Sequence, residues 1–400
     1  MSDSLNNVTG GFLEGRRIAV VGGGLGGLCA ANCFAQFGAN VTVFEKAPEI
    51  GEVGAGIQIT PNGARVLSAL GLIEAADEKS VRAQAIVPMD GVSGREITRF
   101  DLQDRGKAYR FFHRADLINL LLRGALARGV RVLTGSEVIE YKDNVVISKD
   151  GTSARFDLIV GADGVHSKLR EYLNPDAAQF FTGQVAWRGV VDEPNAEPVA
   201  RVWMAPGKHI VTYPLSGGRM NIVAVQERES WAAEGWNHPD TPANLRAAFA
   251  DCAAPLQSVI QKIDEPLLWG LFRHPVAKSW FSGSKVILGD AAHPTLPFLA
   301  QGANLAFEDA WVLATSCNNN KDIGDALNVY QGSRQARVSK AIDAANRNAV
   351  NFHLKGAQRW VSHRALALIG ATAPHAFLDR LNWLYDYDVT QTSTDGPHAR

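Results

Sequence analysis

Cysteine and excess charge are both scarce in this chain of 400 residues. Only Cys29, Cys33, Cys252 and Cys317 are present, and their spacing does not match a zinc site. Cys29 and Cys33 lie one helical turn apart, so we interpret them as small core residues rather than as metal ligands or a disulfide. Such cysteine usage is typical of a reducing compartment, and we expect a cytoplasmic protein. The formal net charge of -1 gives no reason to expect a nucleic-acid partner.

The sequence also lacks internal repeats, low-complexity tracts, metal-ligand clusters and any long linker. A hydrophobic fraction of 46% and a charged fraction of 20% are ordinary for a globular protein, and 400 residues can hold two closely joined domains. Arg16-Arg17 precede an apolar run, Ile18 to Ala31, that imitates an export signal. Because this run contains a glycine-rich turn between a strand and a helix, we expect neither export nor insertion into a membrane.

The glycine-rich turn predicts a dinucleotide site. Arg17 to Val21 has the pattern of a buried strand, and Gly22-Gly23-Gly24-Leu25-Gly26-Gly27 separates it from a helical segment. The first glycine permits a tight turn, the third lets backbone amides approach a pyrophosphate, and the last lets the helix pack against the strand. Glu45 follows the next predicted strand, 18 residues after Gly27, where its carboxylate would accept hydrogen bonds from a ribose diol. The pattern indicates a dinucleotide without identifying it.

A second segment places a carboxylate where open α/β sheets bind ligands. Val286 to Leu288 has the pattern of a short strand, and Asp290 would lie at its carboxyl edge, suited to sugar-like hydroxyls such as the ribityl chain of FAD. Pro294 and Pro297 stiffen the following loop, and a helical pattern opens at Gln301-Gly302-Ala303-Asn304. Amides at this helix start would stabilise the negative charge that a reduced flavin carries at its pyrimidine edge. The alternative is an ordinary strand, turn and helix.

Two further features extend the predicted site. Asp163-Gly164 follows a predicted strand and suits a turn, because Asp bonds local amides and Gly accepts positive φ. Arg114 lies in the first turn of a predicted helix, where the helix dipole disfavours a cation, so a phosphate or cofactor partner is the better explanation. The alternative for Arg114 is a solvated surface arginine.

With these motifs the chain resembles the single-component, class A flavoprotein monooxygenases, and among them the salicylate hydroxylase-like branch of aromatic hydroxylases. The matching motifs are Gly22 to Gly27 with Glu45, Gly54 to Ile59 with Pro61-Asn62, Asp163-Gly164, and Gly289-Asp290. They span residues 16 to about 312, and the ending Asn382 to Val389 also looks like this branch. The motifs are specific for the superfamily and much less specific for the substrate.

The resemblance implies FAD as the cofactor and NADH or NADPH as a transient co-substrate. No second glycine motif occurs for a separate nicotinamide domain, and no residue is obviously placed for a covalent flavin linkage, so we expect FAD to be bound noncovalently. In such enzymes dioxygen forms a flavin hydroperoxide that hydroxylates an aromatic ring. The residues predicted to bind the cofactor are Gly22, Gly24, Leu25, Gly26, Gly27, Glu45, Lys46, Gly56, Arg114, Asp163, Gly164, Asp290, Gly302, Ala303 and Asn304.

The expected fold class is α/β, with interleaved domains. A Rossmann-like FAD-binding domain would comprise residues 16–78, 106–174 and 276–312. A mixed β-sheet substrate domain would comprise 79–105 and 175–275, where strand signals recur, and a helical region would cover 313–390. We interpret the last region as a covering layer that could form a dimer, so the protein is expected to be a monomer or homodimer.

The substrate chemistry is expected on one strand of the insertion. Ala205 to Lys208 suits a hairpin turn, and His209, Val211 and Tyr213 then share one strand face with a titratable imidazole, an apolar floor and a phenol. This face suits a flat aromatic with a phenolic oxygen, and the resemblance points the same way. The alternative is a half-exposed histidine and a core tyrosine. Arg188 is the preferred cation for a substrate carboxylate, because pairing of Met204 with His209 would place its rival Arg201 on the opposite face.

These residues predict a hydroxylase that activates a phenolic ring. His209 would act as the base and Tyr213 would polarise the substrate oxygen, while Pro294 and Pro297 would shape the loop above the ring, Pro297 contacting substrate; His293 is interpreted as structural. The first hypothesis is NAD(P)H- and dioxygen-dependent hydroxylation of a small hydroxyaryl acid such as salicylate, hydroxybenzoate or hydroxynicotinate. The alternatives are a related flavin enzyme acting on a urate-like heterocycle, and a non-catalytic FAD-binding or redox-sensing module.

Overall fold

The structure, a computed structural model, describes residues 11–51, 55–102, 108–229 and 238–391; Gly54 of the resemblance lies outside them. The strands, in chain order, are β1 (Arg17–Val21), β2 (Asn40–Phe44), β3 (Gly56–Ile59), β4 (Ser80–Arg82), β5 (Ala85–Asp90), β6 (Phe100–Asp101), β7 (Arg110–His113), β8 (Arg131–Leu133), β9 (Val138–Lys142), β10 (Val145–Ser148), β11 (Ser153–Arg155), β12 (Leu158–Gly161), β13 (Phe180–Asp192), β14 (Val199–Ala205), β15 (Lys208–Leu215), β16 (Arg219–Glu227), β17 (His238–Pro239), β18 (Leu267–Arg273), β19 (Phe281–Ser282) and β20 (Lys285–Ile287).

The α-helices, again in chain order, are α1 (Leu25–Gln36), α2 (Pro61–Ala69), α3 (Ile73–Glu78), α4 (Arg114–Ala127), α5 (Lys168–Leu173), α6 (Pro242–Ala248), α7 (Ala254–Gln261), α8 (Gly302–Asn319), α9 (Ile323–Phe352), α10 (Gly356–Thr372), α11 (Pro374–Asp379) and α12 (Asn382–Tyr385). Side chains cap several of them. Asp322 Oδ1 accepts from the Asp325 amide at the start of α9, and Ser167 Oγ accepts from the Arg170 amide at the start of α5. These caps satisfy amides that a helix start would otherwise leave unpaired.

The first sheet carries the predicted nucleotide turn. Within the described residues it has six strands in the order β19-β20-β12-β1-β2-β8, parallel except for the edge pair β19-β20. Its central strands are fully buried, as Ile18, Ala19 and Val20 show, because helices cover both faces of such sheets. α1 packs against α4 and α8. The carboxyl ends of β1, β12 and β20 therefore lie side by side, and this adjacency gathers the three predicted motifs.

The second sheet forms the insertion. Its described strands number eight, in the order β17-β18-β13-β16-β15-β14-β5-β6, and its neighbours are antiparallel except for β14-β5. One face packs against α6 and α7 through an apolar cluster that includes Trp187, Phe249 and Ile260. Trp187 is fully buried there, and its Nε1 donates to Asp240 Oδ2 at 2.7 Å, so burial costs no unpaired polar atom. The opposite face is turned to the nucleotide-binding region.

The α/β class expected from the sequence is confirmed. The strands of the first sheet fall in 17–44, 131–161 and 281–287, and those of the large sheet fall in 85–101 and 180–273. This membership supports the proposed three-piece and two-piece division, which stays a proposal. A small sheet, β3-β7-β4, lies between the two and joins their cores.

Candidate active site

The turn after β1 is shaped by two glycines that no other residue could replace. Gly22 has φ +109°, and a Cβ there would lie 2.4 Å from the Ala162 carbonyl oxygen. A Cβ on Gly27 would lie 2.0 Å from the Gly22 carbonyl oxygen, so α1 can approach β1 only without a side chain. A Cβ on Gly24 would meet nothing within 4 Å, because this glycine opens onto a cavity. Gly22 and Gly27 thus allow close backbone packing, as expected, and neither lines the cavity. Gly24 is the glycine of the three that a ligand can approach.

Glu45 is engaged by the backbone beside the turn. Its Oε2 accepts from the Gly23 amide at 2.7 Å, and its Oε1 accepts from the Ala47 amide at 2.8 Å. The carboxylate therefore holds the turn after β1 in place. Its contact with a ribose stays a prediction. The neighbouring Lys46 lines the cavity.

Asp163, Gly164 and Arg114 meet at the same cavity, as expected. Asp163 follows β12, its Oδ2 accepts from the Lys168 amide at 3.1 Å, and burial raises the pKa of its carboxyl above the usual range. Gly164 has φ +77°, the left-handed conformation predicted for this turn. Arg114 begins α4 with its backbone amide bonded to the Ala55 carbonyl, and its side chain lines the cavity.

The loop after β20 contributes Asp290 and Pro297 to the cavity. Asp290 lines this space, and desolvation by the surrounding protein raises the pKa of its carboxyl, while the charges of His293 and Arg114 oppose that rise. Pro297 is exposed into the cavity, whereas Pro294 is buried behind the loop and does not reach the part of the cavity wall that the structure describes. A catalytic role for Pro294 would therefore be indirect.

The start of α8 faces the same space. Gly302 and Ala303 line the cavity, and the first amides of a helix have no partner within the helix, so they are available to a ligand there. Asn304 is instead fully buried: its Nδ2 donates to the Gln58 and Ala300 carbonyls, and its Oδ1 accepts from the Thr60 amide at 3.0 Å. The Asn304 side chain thus joins α8 to β3, and only its backbone could serve a cofactor.

One cavity of about 710 Å³ joins these motifs to the large sheet. At the nucleotide end the wall includes Gly24, Leu25, Gly26, Lys46, Gly56, Arg114, Asp163, Gly164, Asp290, Gly302 and Ala303. At the sheet end it includes Arg188, His209, Val211, Tyr213, Val223, Leu267, Trp269 and Pro297. The volume lies within the range of small-molecule and cofactor sites.

The register of the large sheet explains which side chains reach the cavity. Met204 pairs with His209, which places His209, Val211 and Tyr213 on the cavity face, as the hairpin pattern predicts. On the neighbouring strand β16, Val223 pairs with Val211 and also with Arg188 of β13. The strand face thus combines a titratable ring, an apolar floor and a cation.

The arginine assignment follows from the same register. Arg188 lines the cavity, and its guanidinium lies 4.2 Å from the ring centroid of Trp269. Arg201 pairs with Thr212, on the opposite face, and its Nη2 bonds Glu197 at 2.5 Å. Arg201 therefore lies away from the cavity, whereas Arg188 lines its sheet end.

His209 is more deeply buried than the sequence suggests. It is 1% exposed, between the rings of Phe298 and Phe352, and its Nδ1 bonds the Nε2 of His353 at 2.7 Å. Burial, with the charge of His353 adding to it, holds the pKa of His209 well below its usual range. The half-exposed position in the alternative is wrong, although its core tyrosine agrees with the burial of Tyr213, and the depressed pKa of His209 leaves its imidazole neutral at physiological pH.

Tyr213 is fixed between the two halves of the site. Its ring packs on Phe111, with centroids 5.1 Å apart, and burial keeps its pKa well above the usual range, so it remains a hydrogen-bond donor. Asn221, its partner on β16, also accepts from the Gly56 amide at 2.7 Å through Oδ1. A Cβ on Gly56 would lie 2.6 Å from Asn221, so a glycine is needed where β3 meets the large sheet.

His293 belongs to a separate, fully buried network. Its Nε2 bonds Asp309 Oδ2 at 2.5 Å, and Arg334 bonds both Asp309 Oδ1 at 2.8 Å and Glu308 Oε2 at 2.6 Å. The carboxylates and Arg334 are 0% exposed. This closed arrangement agrees with the structural role expected for His293.

Several residues of the site carry no signal in the sequence. Three of them, Leu267, Trp269 and Val223, lie on strands whose two faces are both apolar. The alternation of apolar and polar residues therefore could not show which face lines the cavity. His353 lies 144 residues from His209, at the end of α9, where only tertiary packing brings it to the sheet. Cys29 and Cys33 are buried, as expected of small core residues, and Cys252 and Cys317 are buried as well.

The cavity fits an FAD molecule. Gly24, Leu25 and Gly26 at the start of α1 line the cavity, as do Gly302 and Ala303 at the start of α8, and amides at helix starts can bind a phosphate and the flavin's anionic edge, respectively. The Asp290 carboxyl faces the cavity between them as an acceptor for sugar hydroxyls. Within the described ranges, no cluster of His, Cys, Asp or Glu side chains could hold a metal ion, and no helix there is long and apolar enough to cross a membrane.

Comparison with known proteins gives consistent matches. Residues 16–345 match the family model described as FAD binding domain. The chain is 35% identical to 3-amino-4-hydroxybenzoate 2-monooxygenase PtmB3 of Streptomyces platensis, covering 93% of this chain and 96% of that protein. It is 33% identical to 3-hydroxybenzoate 6-hydroxylase of Polaromonas naphthalenivorans, again with 93% and 96% covered. Klebsiella pneumoniae HpxO, solved with FAD and uric acid, has a TM-score of 0.82 at 27% identity, covering 92% of this chain and 97% of that one.

Proposed function

The chain belongs to the FAD-dependent aromatic monooxygenases, and from this premise we propose that its substrate is a small hydroxylated aromatic acid, hydroxylated on the ring at the expense of NADH or NADPH and dioxygen. The observation that carries the proposal is the shared face of His209, Tyr213 and Arg188 in a cavity continuous with the nucleotide cradle. An imidazole, a phenol and a cation on one face match a ring that bears a hydroxyl and a carboxylate.

The proposed roles follow from the state of each group. His209 is neutral, so its free ring nitrogen accepts the phenolic proton, and the resulting phenolate makes the ring electron-rich. Tyr213 stays protonated and donates a hydrogen bond to the phenolic oxygen. Arg188 pairs with the carboxylate, and Trp269 and Val211 pack on the ring. Pro297 limits the space above the ring.

FAD, when bound, carries the reducing equivalents of NAD(P)H to dioxygen and supplies the electrophilic oxygen. The part of the protein is to orient the ring and to exclude water, which would divert that oxygen to hydrogen peroxide. The motifs supply hydrogen bonds and packing, and we propose that FAD is held noncovalently. We further propose that the enzyme acts in the cytoplasm as a monomer or homodimer.

A urate-like heterocycle is the second candidate substrate. The structural similarity to HpxO, solved with uric acid, favours it. His209 and Tyr213, which share one face of β15, favour a phenolic acid. The relatives named for hydroxybenzoates, at 35% and 33% identity, favour it too.

The experiment that tests the proposal measures NADH and NADPH oxidation by the purified, FAD-loaded enzyme with 3-hydroxybenzoate, 3-amino-4-hydroxybenzoate, salicylate, 6-hydroxynicotinate and urate. Products are identified by mass spectrometry. Acceleration by a phenolic acid with a hydroxylated product supports the proposal. Acceleration by urate alone, with its hydroxylated product, would replace the phenolic acid with the second candidate.

Arg188 gives a matched test of carboxylate recognition. Arg188→Gln should raise KM for the active phenolic acid by about 10-fold or more, because a charged hydrogen bond contributes about 1.5–3 kcal/mol. Arg201→Gln, on the opposite face of the sheet, is the control and should leave KM unchanged. Equal KM values for Arg188→Gln and wild type would remove Arg188 from the substrate site.

A further inference from the structure

A line of hydrogen-bonded groups connects the cavity with the protein surface. His209 Nδ1 bonds His353 Nε2 at 2.7 Å, and His353 Nδ1 bonds Glu227 Oε1 at 3.0 Å. His209 is 1% exposed and His353 is 4% exposed, whereas the Glu227 side chain is 44% exposed. The line therefore begins at a buried ring in the cavity wall and ends at a carboxylate in contact with solvent.

We propose that His353 and Glu227 form a proton relay that carries the phenolic proton from His209 to solvent. The inference rests on the proposed function of His209 as the base that accepts this proton. His353 and Glu227 would give the proton a route to solvent, and neither residue is among those that line the cavity.

The hydrogen-bond partners set the direction of the relay. An ionised carboxylate only accepts, so His353 carries its proton on Nδ1 and its Nε2 accepts. His209 must then donate from Nδ1, which leaves its Nε2 with a lone pair for a ligand in the cavity. Glu227 thus fixes the tautomers of both rings, in the way that a carboxylate orients a catalytic imidazole.

Each step of the transfer is balanced. The phenolic O–H bond breaks and its proton binds His209 Nε2, while the Nδ1 proton of His209 moves to His353 Nε2. The Nδ1 proton of His353 moves to the Glu227 carboxylate and from there to water. Each ring gains one proton and loses one, so no cation remains beside the cavity.

Burial explains why an outlet is needed. Phe298 and Phe352 pack on His209, and burial disfavours its charged form, so the ring is a poor final holder of a proton. The other charged or titratable groups near the line are Arg188 and Tyr213 on the cavity face and Lys355, whose Nζ lies 3.4 Å from Glu227 Oε2.

The hairpin after β14 holds the relay in register. Gly207, with φ +69°, donates its amide to the His353 carbonyl at 3.0 Å and accepts from the Glu227 amide at 2.9 Å. One turn residue thus bonds the backbones of both relay residues. A Cβ there would lie 3.2 Å from Glu227 Oε2, so the glycine also leaves room for the carboxylate.

The test measures proton release rather than turnover. FAD-loaded enzyme without NADH is mixed in a stopped-flow instrument with 3-hydroxybenzoate and phenol red in weak buffer; 3-amino-4-hydroxybenzoate replaces it if only that acid stimulates NADH oxidation. Wild type should release a proton with the phenolic acid and none with benzoate. His353→Gln and Glu227→Gln should slow release by at least about tenfold with unchanged substrate affinity, as expected for loss of a proton carrier.

Matched variants separate the relay from folding and from the base itself. Glu227→Gln keeps an acceptor for His353 and changes only an exposed side chain, and added imidazole buffer should restore its release rate because its defect lies at the surface. His363→Gln alters a histidine outside the line and should behave as wild type. Flavin absorbance checks that each variant is loaded.

Wild-type release rates in both His353→Gln and Glu227→Gln would overturn the relay, while a loss of release in His209→Ala would still support the base. Wild-type release in His209→Ala would overturn the base and the relay with it.

Discussion

Two buried histidines of this chain, His293 and His209, each bond a titratable partner, but their lines of partners end in different places. His293 leads through Asp309, Arg334 and Glu308, all 0% exposed, to Arg337, whose side chain is only 9% exposed. His209 opens to the cavity on one side and leads through His353 to the exposed Glu227 on the other. Burial is nearly the same in both cases. In the proposed function, His209 differs from His293 because a proton can reach it from the cavity and leave it through His353.

The largest expected effect lies in the closed network. Asp309→Asn should lower the free energy of unfolding by about 3–5 kcal/mol, because Glu308 alone is then left to neutralise the guanidinium groups of both Arg334 and Arg337. Urea denaturation followed by tryptophan fluorescence measures it. Asp101→Asn, in an exposed pair with Arg99, is the control and should change little. A shift no larger than that of the control would show that the network contributes nothing to stability.

The loss of stability of the wild type in acid should show the contribution of the Asp309 carboxylate. Burial alone would raise the pKa of Asp309, but the charges and hydrogen bonds of His293 and Arg334 lower it to about 2. A carboxyl with a depressed folded pKa contributes stability above its unfolded pKa and loses it as the pH falls toward the folded value. The wild type should therefore lose stability between about pH 4 and pH 2 more steeply than Asp309→Asn.

Substitution of His209, whose hydrogen-bonded partners lead to solvent, should change activity and leave stability nearly unchanged. His209→Ala should leave FAD content near normal and slow hydroxylation about 100-fold, because a positioned base is lost. More reducing equivalents should end in hydrogen peroxide, and a higher pH should partly rescue the rate since more substrate arrives as phenolate. Stopped-flow product formation and peroxide assays measure these effects.

Val211→Ala removes volume from the same strand face without removing a base, so its rate should fall much less than that of His209→Ala. If His209→Ala hydroxylates at the wild-type rate without extra peroxide, His209 is structural like His293.

The smallest expected effect concerns cofactor affinity, which neither histidine controls. Asp290→Ala removes a hydroxyl acceptor from the cavity and should weaken FAD binding by about 1–3 kcal/mol. Titration of the apoprotein with FAD, followed by flavin fluorescence, measures the change. Asp264→Ala, on an exposed side chain, should bind FAD as wild type does. Unchanged affinity in Asp290→Ala would mean that Asp290 does not contact FAD.

Sequence patterns predicted the two halves of the site unequally. Gly22, Gly27 and Gly164 belong to short motifs in which a turn or a close backbone approach sets the residue type, so the fold class and a dinucleotide site followed from them, and FAD followed from the family resemblance. On the large sheet, alternation predicted that His209 and Tyr213 share a face, because strand geometry has period two.

Contacts between distant segments were beyond such patterns. Nothing near His353 or Glu227 indicates that the end of α9 meets β15, since that contact depends on how a helix of 30 residues packs across the sheet. The same limit explains why Asn304 was assigned to the cofactor by its place at a helix start, although its side chain bonds β3.

The hydrogen bond from the Gly56 amide to Asn221 Oδ1 connects the start of β3, on the cofactor side, with β16, on the substrate side. If substrate binding strengthens or weakens this hydrogen bond, FAD binding is strengthened or weakened with it. Thermodynamic linkage makes this coupling free energy the same in both directions. The factor by which FAD changes the affinity for the aromatic acid must equal the factor by which the acid changes the affinity for FAD. A dissociation constant for either ligand is therefore defined only at a stated saturation with the other.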